Sequence, residues 1–293
     1  MQIDQKWDYL RSLLTGMKGA VLAYSGGVDS SLLLRAAAGV MGPNLIAVTA
    51  ISETYPPGEL DPAKQFATAL EVRHLVLSTG ELARDNFARN EPDRCYHCKQ
   101  ELFGKLRQIA DSEGISYILD GSNADDLHDY RPGRTAAREL SVRSPLAEAG
   151  LTKHEIRSLA RRMNMPMWDK PSLACLSSRI PYGTRITLDL LRKIQAAEDV
   201  VRAVGIRQVR VRHHGDTARI EVAQDDLKRI TDAEVRQKVV AAFKELGYAY
   251  VCLDLEGYRT GSMNATLDRD RSAGVISPQQ AVIAGNNRKK ERT

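Results

Sequence analysis

The sequence of 293 residues has no long apolar run. No apolar stretch approaches the ~18 residues that a helix needs to cross a bilayer. The amino-terminal segment MQIDQKWDYLRSLL (1–14) is charged and amphipathic, which is unlike a secretory signal peptide. We therefore expect a cytoplasmic protein with no membrane partner.

Cysteine is scarce, with Cys95, Cys98, Cys175 and Cys252 as the four positions. Four unevenly spaced cysteines do not provide a disulfide framework. In a reducing compartment the close pair Cys95 and Cys98 instead indicates metal or redox chemistry. Cys252 lies in the apolar strand pattern YAYVCLDL, which predicts a buried core thiol.

The net positive charge is also small outside the carboxyl-terminal segment. The formal net charge is +5, but residues 286–293 (NNRKKERT) hold four basic side chains and one acidic side chain. The other 285 residues therefore carry only about +2. A groove that follows nucleic-acid phosphates usually needs a basic stripe on the folded body. We expect no nucleic-acid partner and a flexible tail.

Aromatic residues make up only 5% of the chain, while 43% of it is hydrophobic, as in helix-rich α/β proteins. Short buried strands alternate with helical patterns along the first half of the sequence. The predicted strands are 20–24, 45–51, 73–77 and 116–120, and the predicted helices between them are 29–41, 60–71 and 98–113. This alternation predicts an α/β fold with a parallel sheet and helices on both faces.

The pattern changes beyond residue 182. A helix (187–204), a hairpin turning near Gly215 (208–223), a long helix (225–246) and a strand (248–254) form an α-β-β-α-β module. We predict a first domain at 1–182, a smaller α/β domain at 183–268 and a tail at 269–293.

The hexapeptide SGGVDS (25–30) joins the first predicted strand to a helix. Backbone N–H groups at such a helix start form an anion site, and glycines let the chain approach phosphate closely. The segment is neither G-x-x-x-x-G-K-[ST] nor G-x-G-x-x-G. Asp29 cannot favour phosphate unless a cation intervenes, which predicts Mg²⁺. The alternative is an ordinary tight strand–helix turn.

Two further polar loops, SETYPPGE (52–59) and GSNADDLHDYRPG (121–133), follow other strands of the predicted sheet. Ligands of parallel sheets gather beyond the carboxyl ends of the strands, so we expect the three loops to converge there.

The SGGVDS segment resembles the PP-loop of ATP pyrophosphatases. This resemblance implies that ATP is cleaved between its α and β phosphates and that a substrate oxygen is adenylated. On this basis Thr49 lies near adenine, and Arg131 braces the ATP phosphates or the leaving pyrophosphate. The predicted ATP-binding residues are Ala23, Tyr24, Ser25, Gly26, Gly27, Asp29, Ser30, Thr49, Gly121 and Arg131.

Cys95 and Cys98 form a C-x-x-C pair ahead of a helix starting near Lys99, and Cys175 comes much later. Three thiolates can hold a [4Fe–4S] cluster and leave its fourth iron open. Zinc bound by the three cysteines with His97, His128 or His154 is a second interpretation. A redox dithiol and three unrelated thiols are the others.

Four segments together resemble the LarE family, and the resemblance runs to about residue 270. They are DGSNADDLHDYRPG (120–133), CLSSRIPYGT (175–184), VRVRHH (209–214) and YVCLDLEGYRTGSMN (250–264). The resemblance implies ATP-dependent sulfuration of the carboxylates of pyridinium-3,5-biscarboxylic acid mononucleotide. The product is the pincer ligand that holds nickel in the cofactor of lactate racemase.

The LarE family uses two sulfur sources. Sacrificial members lack the C-x-x-C pair and lose the sulfur of one cysteine, at the place of Ala174. Members with three cysteines bind a [4Fe–4S] cluster whose open iron holds the sulfide to be transferred. Cys95, Cys98 and Cys175 match the second group, and sacrifice of Cys175 is the main rival. The resemblance also implies a homo-oligomer, with a hexamer as its form, and a sulfide donor protein as partner.

The strand pattern VRVRHH places Arg210 and Arg212 on one face. Arginine forks suit both phosphate and carboxylate, so these two residues are predicted to bind substrate. A solvated edge-strand face is the alternative. Arg179, four residues beyond Cys175, is predicted to reach the reacting centre. Glu198 and Glu221 resemble acidic positions near a metal and phosphate site of the family.

Two other functions share parts of this pattern. A tRNA thiolase also combines a PP-loop with three cysteines, although the nearly neutral body argues against tRNA binding. A non-enzymatic iron–sulfur sensor that binds ATP is the third hypothesis.

Overall fold

The structure is a computed structural model that describes residues 1–55, 58–127, 132–171, 174–259 and 262. The chain divides into two compact units, Met1–Ala196 and Ala197–Thr293. None of the helices in these described ranges combines the length and apolarity that a membrane crossing requires.

The first unit is built on a five-stranded sheet in the order β3-β2-β1-β4-β5, and all four strand pairs are parallel. The strands are β1 (Ala20–Ala23), β2 (Leu45–Ile51), β3 (Arg73–Ser78), β4 (Tyr117–Leu119) and β5 (Val142–Arg143). The helices are α1 (Ile3–Thr15), α2 (Val28–Met41), α3 (Leu60–Ala69), α4 (Asp85–Ala88), α5 (Arg94–Ser112), α6 (Gly133–Glu139), α7 (Pro145–Glu148) and α8 (Lys153–Arg162). Helix α9 (Leu188–Ala203) begins in this unit and ends in the second. The predicted α/β fold class is confirmed.

Alternation of side chains along the strands supplies a core on each face of this sheet. Leu22 of β1 packs with apolar residues of α1, α2 and α8, such as Leu14 and Leu32. Val21, the preceding residue, faces the other side and packs with Phe103 of α5. Continuously apolar strands are what burial on both faces requires.

Helix α5 begins at Arg94, earlier than the predicted start at residue 98. The apolar pattern that predicted this helix begins at Cys98 and therefore misses its first turn. Arg94 and Cys98 are four residues apart and point to the same side of the helix. The cysteine pair thus belongs to the helix itself.

The second unit contains a three-stranded sheet in the order β6-β7-β8, with β6 at Val209–His214, β7 at Thr217–Val222 and β8 at Tyr250–Leu253. Strands β6 and β7 form the predicted antiparallel hairpin, with Gly215 in its turn at φ +61°. Strand β8 runs parallel to β7. Its core packs Val209, Val211 and Ile220 against Phe243.

The single long helix predicted at 225–246 is wrong. A short 3₁₀ turn (Gln224–Asp226) leads into α10 (Leu227–Thr231), and α11 (Ala233–Glu245) starts separately. Asp232 interrupts the helix with extended backbone, and its carboxylate accepts N–H bonds from Glu234 and Val235 at 3.0 and 3.3 Å. An aspartate in this role starts a new helix rather than continuing the old one.

The division between the units falls after Ala196 and not at the predicted residue 182. Ile186, Leu191 and Ile194 pack with Phe87 and Ile180 of the first unit in one apolar cluster. Burial of these side chains attaches the segment after residue 182 to the first unit.

Cys252 is exposed, so its prediction as a core thiol is wrong. Strand β8 lies at one edge of its sheet. Tyr250 and Cys252 share its exposed face, whereas Val251 and Leu253 pack against the core of the second unit. The apolar character of this strand therefore reflects only one buried face.

Candidate active site

The SGGVDS loop is folded tightly against the first turn of α2. The Ser30 hydroxyl accepts the N–H of Ser25 at 3.3 Å and donates to the carbonyl of Gly27 at 3.2 Å. Gly27 is the N-cap residue of α2, so the positive end of the helix dipole lies at the loop. This arrangement can bind an anion such as phosphate.

Two glycines permit close packing around this loop. Gly26 has φ +76°, and a Cβ there would lie 3.0 Å from Ala63 Cβ. A Cβ on Gly121 would lie 3.0 Å from the backbone nitrogen of Ser30. The loop after β4 therefore packs directly against the first turn of α2. This close packing requires a glycine at position 121, independently of the predicted role of Gly121 in binding ATP.

A buried layer of side chains supports the loop at the ends of β1 and β2. The Thr49 hydroxyl donates to the Tyr24 carbonyl at 2.7 Å and lies 2.8 Å from His74 Nε2. Burial raises the pKa of the Tyr24 phenol, and burial together with Lys64 lowers the pKa of His74. Both shifts favour neutral side chains in this layer. Thr49 is fully buried, and Ala23 precedes Tyr24 at the end of β1.

Asp29, in the first turn of α2, is held by two side chains that the sequence did not reveal. Lys153 forms an ion pair with its carboxylate, and Asn123 Nδ2 donates to Asp29 Oδ1 at 3.3 Å. The backbone N–H of Lys153 donates to Asp125 at 2.8 Å. Lys153 is the first residue of α8, where the helix dipole disfavours a cation. That unfavourable position was the available sequence signal for an acidic partner.

The loop after β4 is organised by its own side chains. Asn123 Oδ1 accepts the N–H of Asp125 at 3.0 Å, and the N–H of Asn123 donates to Asp126 at 3.0 Å. Carboxylate and amide oxygens of this kind suit Mg²⁺. Arg131, predicted to contact ATP, and His128, a candidate zinc ligand, lie outside the described residues.

The cysteine pair lies at the start of α5, with Cys95 exposed and Cys98 half-buried. The Cys98 thiol donates to Glu81 Oε1 at 3.6 Å, and Thr79 donates to the same oxygen at 3.0 Å. Burial raises the pKa of Cys98, and Cys175, Glu81 and Cys95 act in the same direction. The thiols of Cys95 and Cys175 thus lie near enough to Cys98 to contribute to the raised pKa of its thiol.

This neighbourhood is not a closed set of ligands. Among the residues that the structure describes, no three Cys, His, Asp or Glu side chains are grouped as metal ligands. Of the predicted zinc histidines, His97 contacts Asn86 at 3.0 Å and Asp93 at 3.3 Å, and His154 is exposed.

Cys175 immediately precedes a 3₁₀ turn, Leu176–Arg179. The N–H of Leu176 donates to the Thr54 carbonyl at 3.4 Å, so this segment lies beside the loop that follows β2. Arg179 is only 2% exposed and donates to the carbonyls of Ala174 and Cys175 at 2.7 and 3.0 Å. The guanidinium therefore fixes the backbone that carries Cys175.

The predicted convergence of three loops is present at the carboxyl edge of the sheet. Tyr55, after β2, donates to the Ser25 carbonyl at 3.4 Å, and Asn123, after β4, contacts Asp29. Through its contact with Thr54, the Cys175 segment reaches the same edge. Candidate phosphate-binding and sulfur-bearing groups therefore occupy one end of the first unit.

In the second unit, Arg210 and Arg212 are each only 5% exposed, which excludes a solvated strand face. Arg212 donates to Glu221 Oε2 at 2.7 Å and to Ser262 at 2.9 Å. The guanidinium of Arg210 lies 5.2 Å from the centre of the Tyr258 ring. These arginines are thus built into a buried network of charged and polar groups.

Both acidic residues singled out from the sequence are fully buried. Glu198 accepts the N–H of Val211 at 3.1 Å and pairs with Arg202 at 2.7 Å. Glu221 pairs with Arg219 at 3.3 Å as well as with Arg212. Charged groups with several hydrogen bonds are how a folded protein tolerates buried ionised side chains.

The parallel sheet, with the SGGVDS loop at the carboxyl edge of its central strand, defines a PP-loop-like α/β protein. No family model matches the sequence. The chain is 38% identical over 266 residues to the pyridinium-3,5-bisthiocarboxylic acid mononucleotide synthase of Lactiplantibacillus plantarum, covering 90% of this chain and 95% of that protein. The chain therefore belongs to the LarE family, the family of that synthase.

Two further relatives extend the comparison. An uncharacterized protein of Synechocystis sp. is 41% identical over 267 residues, which cover 91% of this chain and all of the relative. A glutamine-hydrolyzing GMP synthase chain of Thermoplasma volcanium is 27% identical over 214 residues, 64% of each chain. The resemblance to LarE inferred from sequence motifs is confirmed.

Proposed function

We propose that this protein is an ATP-dependent sulfurtransferase of nickel-pincer cofactor biosynthesis. Its substrate is pyridinium-3,5-biscarboxylic acid mononucleotide, whose carboxylates become thiocarboxylates. The name of the Lactiplantibacillus relative supports this substrate class. The observation that carries the proposal is the contact between Leu176 and Thr54, which holds the Cys175 segment at the same sheet edge as the phosphate loop.

The first step is activation of a carboxylate. A substrate carboxylate oxygen attacks the α-phosphorus of ATP, the bond to the bridging oxygen breaks, and pyrophosphate leaves. Backbone N–H groups of Ser25–Ser30 at the start of α2 bind the phosphates, and Lys153 adds positive charge beside them. Catalysis comes mainly from orientation and from neutralising phosphate charge.

The carboxylate oxygens of Asp29 are ligands of the kind that Mg²⁺ prefers. Asp125, which accepts the backbone N–H of Lys153, offers a second carboxylate nearby. The ion would supply charge neutralisation at the phosphates. Until such a cation binds, Lys153 balances the charge of Asp29.

The second step is sulfur transfer. A sulfur nucleophile attacks the carbonyl carbon of the acyl-adenylate, and the tetrahedral intermediate expels AMP to leave a thiocarboxylate. Arg179 keeps the Cys175 backbone in place during this step through its bonds to two carbonyls. Arg210 and Arg212 remain our candidates for binding the substrate phosphate and carboxylates.

We assign Cys95, Cys98 and Cys175 as ligands of a [4Fe–4S] cluster. Cysteine thiolates are the usual protein ligands of such clusters, and the proximity of Cys175 and Cys95 acts to raise the pKa of Cys98. The cluster, when bound, would supply an iron atom without a protein ligand to carry sulfide.

Sacrifice of Cys175 is the second candidate, favoured by its exposure and by the absence of a closed metal-ligand group in the described part of the chain. The Cys175 sulfur would attack the acyl-adenylate and expel AMP. Loss of the Cα proton and cleavage of the Cβ–S bond would then leave dehydroalanine on the protein and a thiocarboxylate on the substrate.

Anaerobic purification followed by assay of the wild type, Cys95→Ala, Cys175→Ala and the control Cys252→Ala tests the proposal. Iron and sulfide per chain, pyrophosphate release, thiocarboxylate formation and protein mass are measured. The cluster version predicts iron in the wild type, little iron in Cys95→Ala, and an unchanged wild-type mass after turnover. Iron-free wild type that makes product once per chain and loses the mass of hydrogen sulfide would establish sacrifice.

Other outcomes distinguish the remaining functions. Absence of pyrophosphate release when ATP and the pyridinium substrate are mixed with a cluster-bearing protein would favour a sensor. Salt-sensitive tRNA binding by a variant without residues 269–293 would favour a tRNA thiolase. Unchanged behaviour of Cys252→Ala is expected in every case, because Cys252 lies on an exposed strand face of the second unit.

A further inference from the structure

We propose that Asn90 and Arg94 form a polar clamp that holds the Cys175 segment in register with the cysteine pair on α5. The two residues would act as positioning residues for sulfur transfer and not for adenylation. The inference rests on the proposed function for its second readout, but its first readout is independent of any activity.

Asn90 is completely buried and adopts φ +60°, a conformation that costs free energy for a residue other than glycine. Its side-chain amide donates to the carbonyls of Ile180, Pro181 and Thr184, at 3.3, 2.7 and 3.0 Å. Its own carbonyl accepts the N–H of Gly183 at 3.1 Å. The side chain of Asn90 thus binds several backbone carbonyls of the segment that follows Cys175.

Arg94 connects this segment to α5. It is 6% exposed, donates to the Ser177 carbonyl at 2.8 Å and to Asn90 Oδ1, and lies 5.5 Å from the centre of the Tyr182 ring. Arg94 immediately precedes Cys95, and Ser177 is two residues beyond Cys175.

The partners that the structure gives to Arg94 are neutral: a carbonyl, an amide oxygen and an aromatic ring. Burial of a guanidinium among neutral groups is costly, so an ordinary packing position would favour an apolar side chain. Both bonds come from one nitrogen, Nη1, so a single cationic group joins Asn90 Oδ1 to the Ser177 carbonyl and connects the two chain segments.

Removal of the clamp should leave the fold intact, because other contacts hold the same segments. Phe87, Leu176 and Ile180 pack in one apolar cluster, and the N–H of Ile186 donates to the Ala88 carbonyl at 2.8 Å. Asn90→Gly keeps the positive φ without steric cost while deleting the amide.

The first experiment measures cysteine geometry directly. Wild type, Asn90→Gly, Arg94→Met and Arg94→Lys are treated in the apo form with a short bifunctional maleimide, and crosslinked peptides are identified by mass. Arg157→Met is the control, because Arg157 is a half-buried arginine outside the clamp that likewise donates to a carbonyl, that of Lys170 at 2.8 Å. Alkylation of exposed Cys252 reports general thiol reactivity.

We expect the wild type and Arg157→Met to crosslink Cys175 to Cys95 or Cys98. Asn90→Gly and Arg94→Met should lose about tenfold in the yield of this crosslink, the scale of effect seen when groups supporting a site are removed. Arg94→Lys should recover part of it, since an ammonium group can donate to both oxygens but cannot reproduce the stacking of the planar guanidinium on the Tyr182 ring. Cys252 alkylation should be unchanged, and thermal unfolding should remain cooperative at a lower midpoint, because buried carbonyls lose a donor.

The second experiment compares pyrophosphate release with thiocarboxylate formation. Asn90→Gly and Arg94→Met should keep pyrophosphate release within about twofold and lose about tenfold in thiocarboxylate. Absence of the crosslink in the wild type, equal crosslinking in all variants, or a parallel fall of both activities would overturn the clamp. A wild type that releases no pyrophosphate would count against the proposed function, while crosslinking would still decide the clamp.

Discussion

The two candidate sites of this molecule use different parts of the chain. At the sheet edge of the first unit, the loop is shaped by backbone and small residues, such as Gly26, Ser30 and Gly121. In the second unit, Arg212, Glu221 and their neighbours form a buried network of charged side chains. The first site should therefore be sensitive to added volume, and the second to the loss of one charge.

The largest effect is expected in the second unit. Arg212→Met would remove a main counter-charge of fully buried Glu221, although Arg219 also contacts that carboxylate. Breaking one partner of a buried pair typically costs about 3–5 kcal/mol, and we expect the lower end here. Urea unfolding followed by far-UV circular dichroism measures the change.

A second variant separates charge from packing at this network. Removing both partners, in Arg212→Met with Glu221→Leu, should recover much of the lost stability, because neither member of this pair is then left buried without its counter-charge. Equal destabilisation by the single and the double variant would mean that the network acts through shape alone.

Added volume in the first unit gives the next largest effect. The Cβ of Gly121→Ala would lie 3.0 Å from Ser30 N and 3.1 Å from Ser30 Cα, both backbone atoms that cannot move aside alone. We expect about 1–3 kcal/mol of destabilisation. Displacement of the first turn of α2 should also weaken binding of a non-hydrolysable ATP analogue, measured by calorimetry.

Gly39→Ala is the control for this comparison. Gly39 lies inside the same helix, and nothing is within 4 Å of a Cβ at that position. Alanine there should stabilise the protein by about 0.5–1 kcal/mol and leave analogue binding unchanged. Loss of binding in Gly39→Ala would show that α2 responds to any substitution and not to the contact with Gly121.

The sequence predicted the local elements of the first site but not the contacts between them. Strand β2 spans 45–51 as predicted, because strand periodicity and turn residues are local signals. The ion pair between Asp29 and Lys153 joins residues 124 positions apart, and the bond from Arg94 to Ser177 spans 83. No local pattern specifies which distant loop meets which helix.

The second site shows the complementary limit. The period of two in VRVRHH correctly placed Arg210 and Val211 on opposite faces of the strand. It did not predict that both faces are buried. Burial depends on what covers the strand, and here Glu198 and Ser262 come from distant positions in the chain. The sequence could therefore predict that Arg210 and Arg212 are able to bind anions, but it could not predict that Arg212 is already paired with Glu221.

Loss of one charge at the first site should matter less than at the second. Lys153→Met would remove the ammonium group beside Asp29, and both side chains are partly exposed. A charge-assisted contact is worth about 1.5–3 kcal/mol, and partial exposure of the pair favours the lower end, so we expect roughly tenfold weaker binding of the ATP analogue. Calorimetry on Lys6→Met is the control, since Lys6 pairs with Glu155 of the same helix at 2.7 Å. Equal losses in both variants would point to a role of α8 as a whole.

The smallest effect concerns the buried layer below the loop and is seen through pH. Burial lowers the pKa of His74 in the folded protein below its ordinary value of 6.5. As pH falls through about 6.5, the unfolded chain takes up the proton first, so stability should decrease until the lower folded pKa is passed.

His74→Gln can keep a hydrogen bond with Thr49 but does not titrate. Thermal unfolding is measured between about pH 8 and about pH 5, a range that spans the ordinary histidine pKa of about 6.5. The stability of the wild type should fall more steeply across this range than that of His74→Gln. His214, whose pKa is also lowered by burial, lies in the second unit, and His214→Gln tests whether the remaining slope arises there. Identical pH profiles for the wild type and His74→Gln would mean that the layer beneath the phosphate loop accepts charge, contrary to the neutral support inferred from its burial.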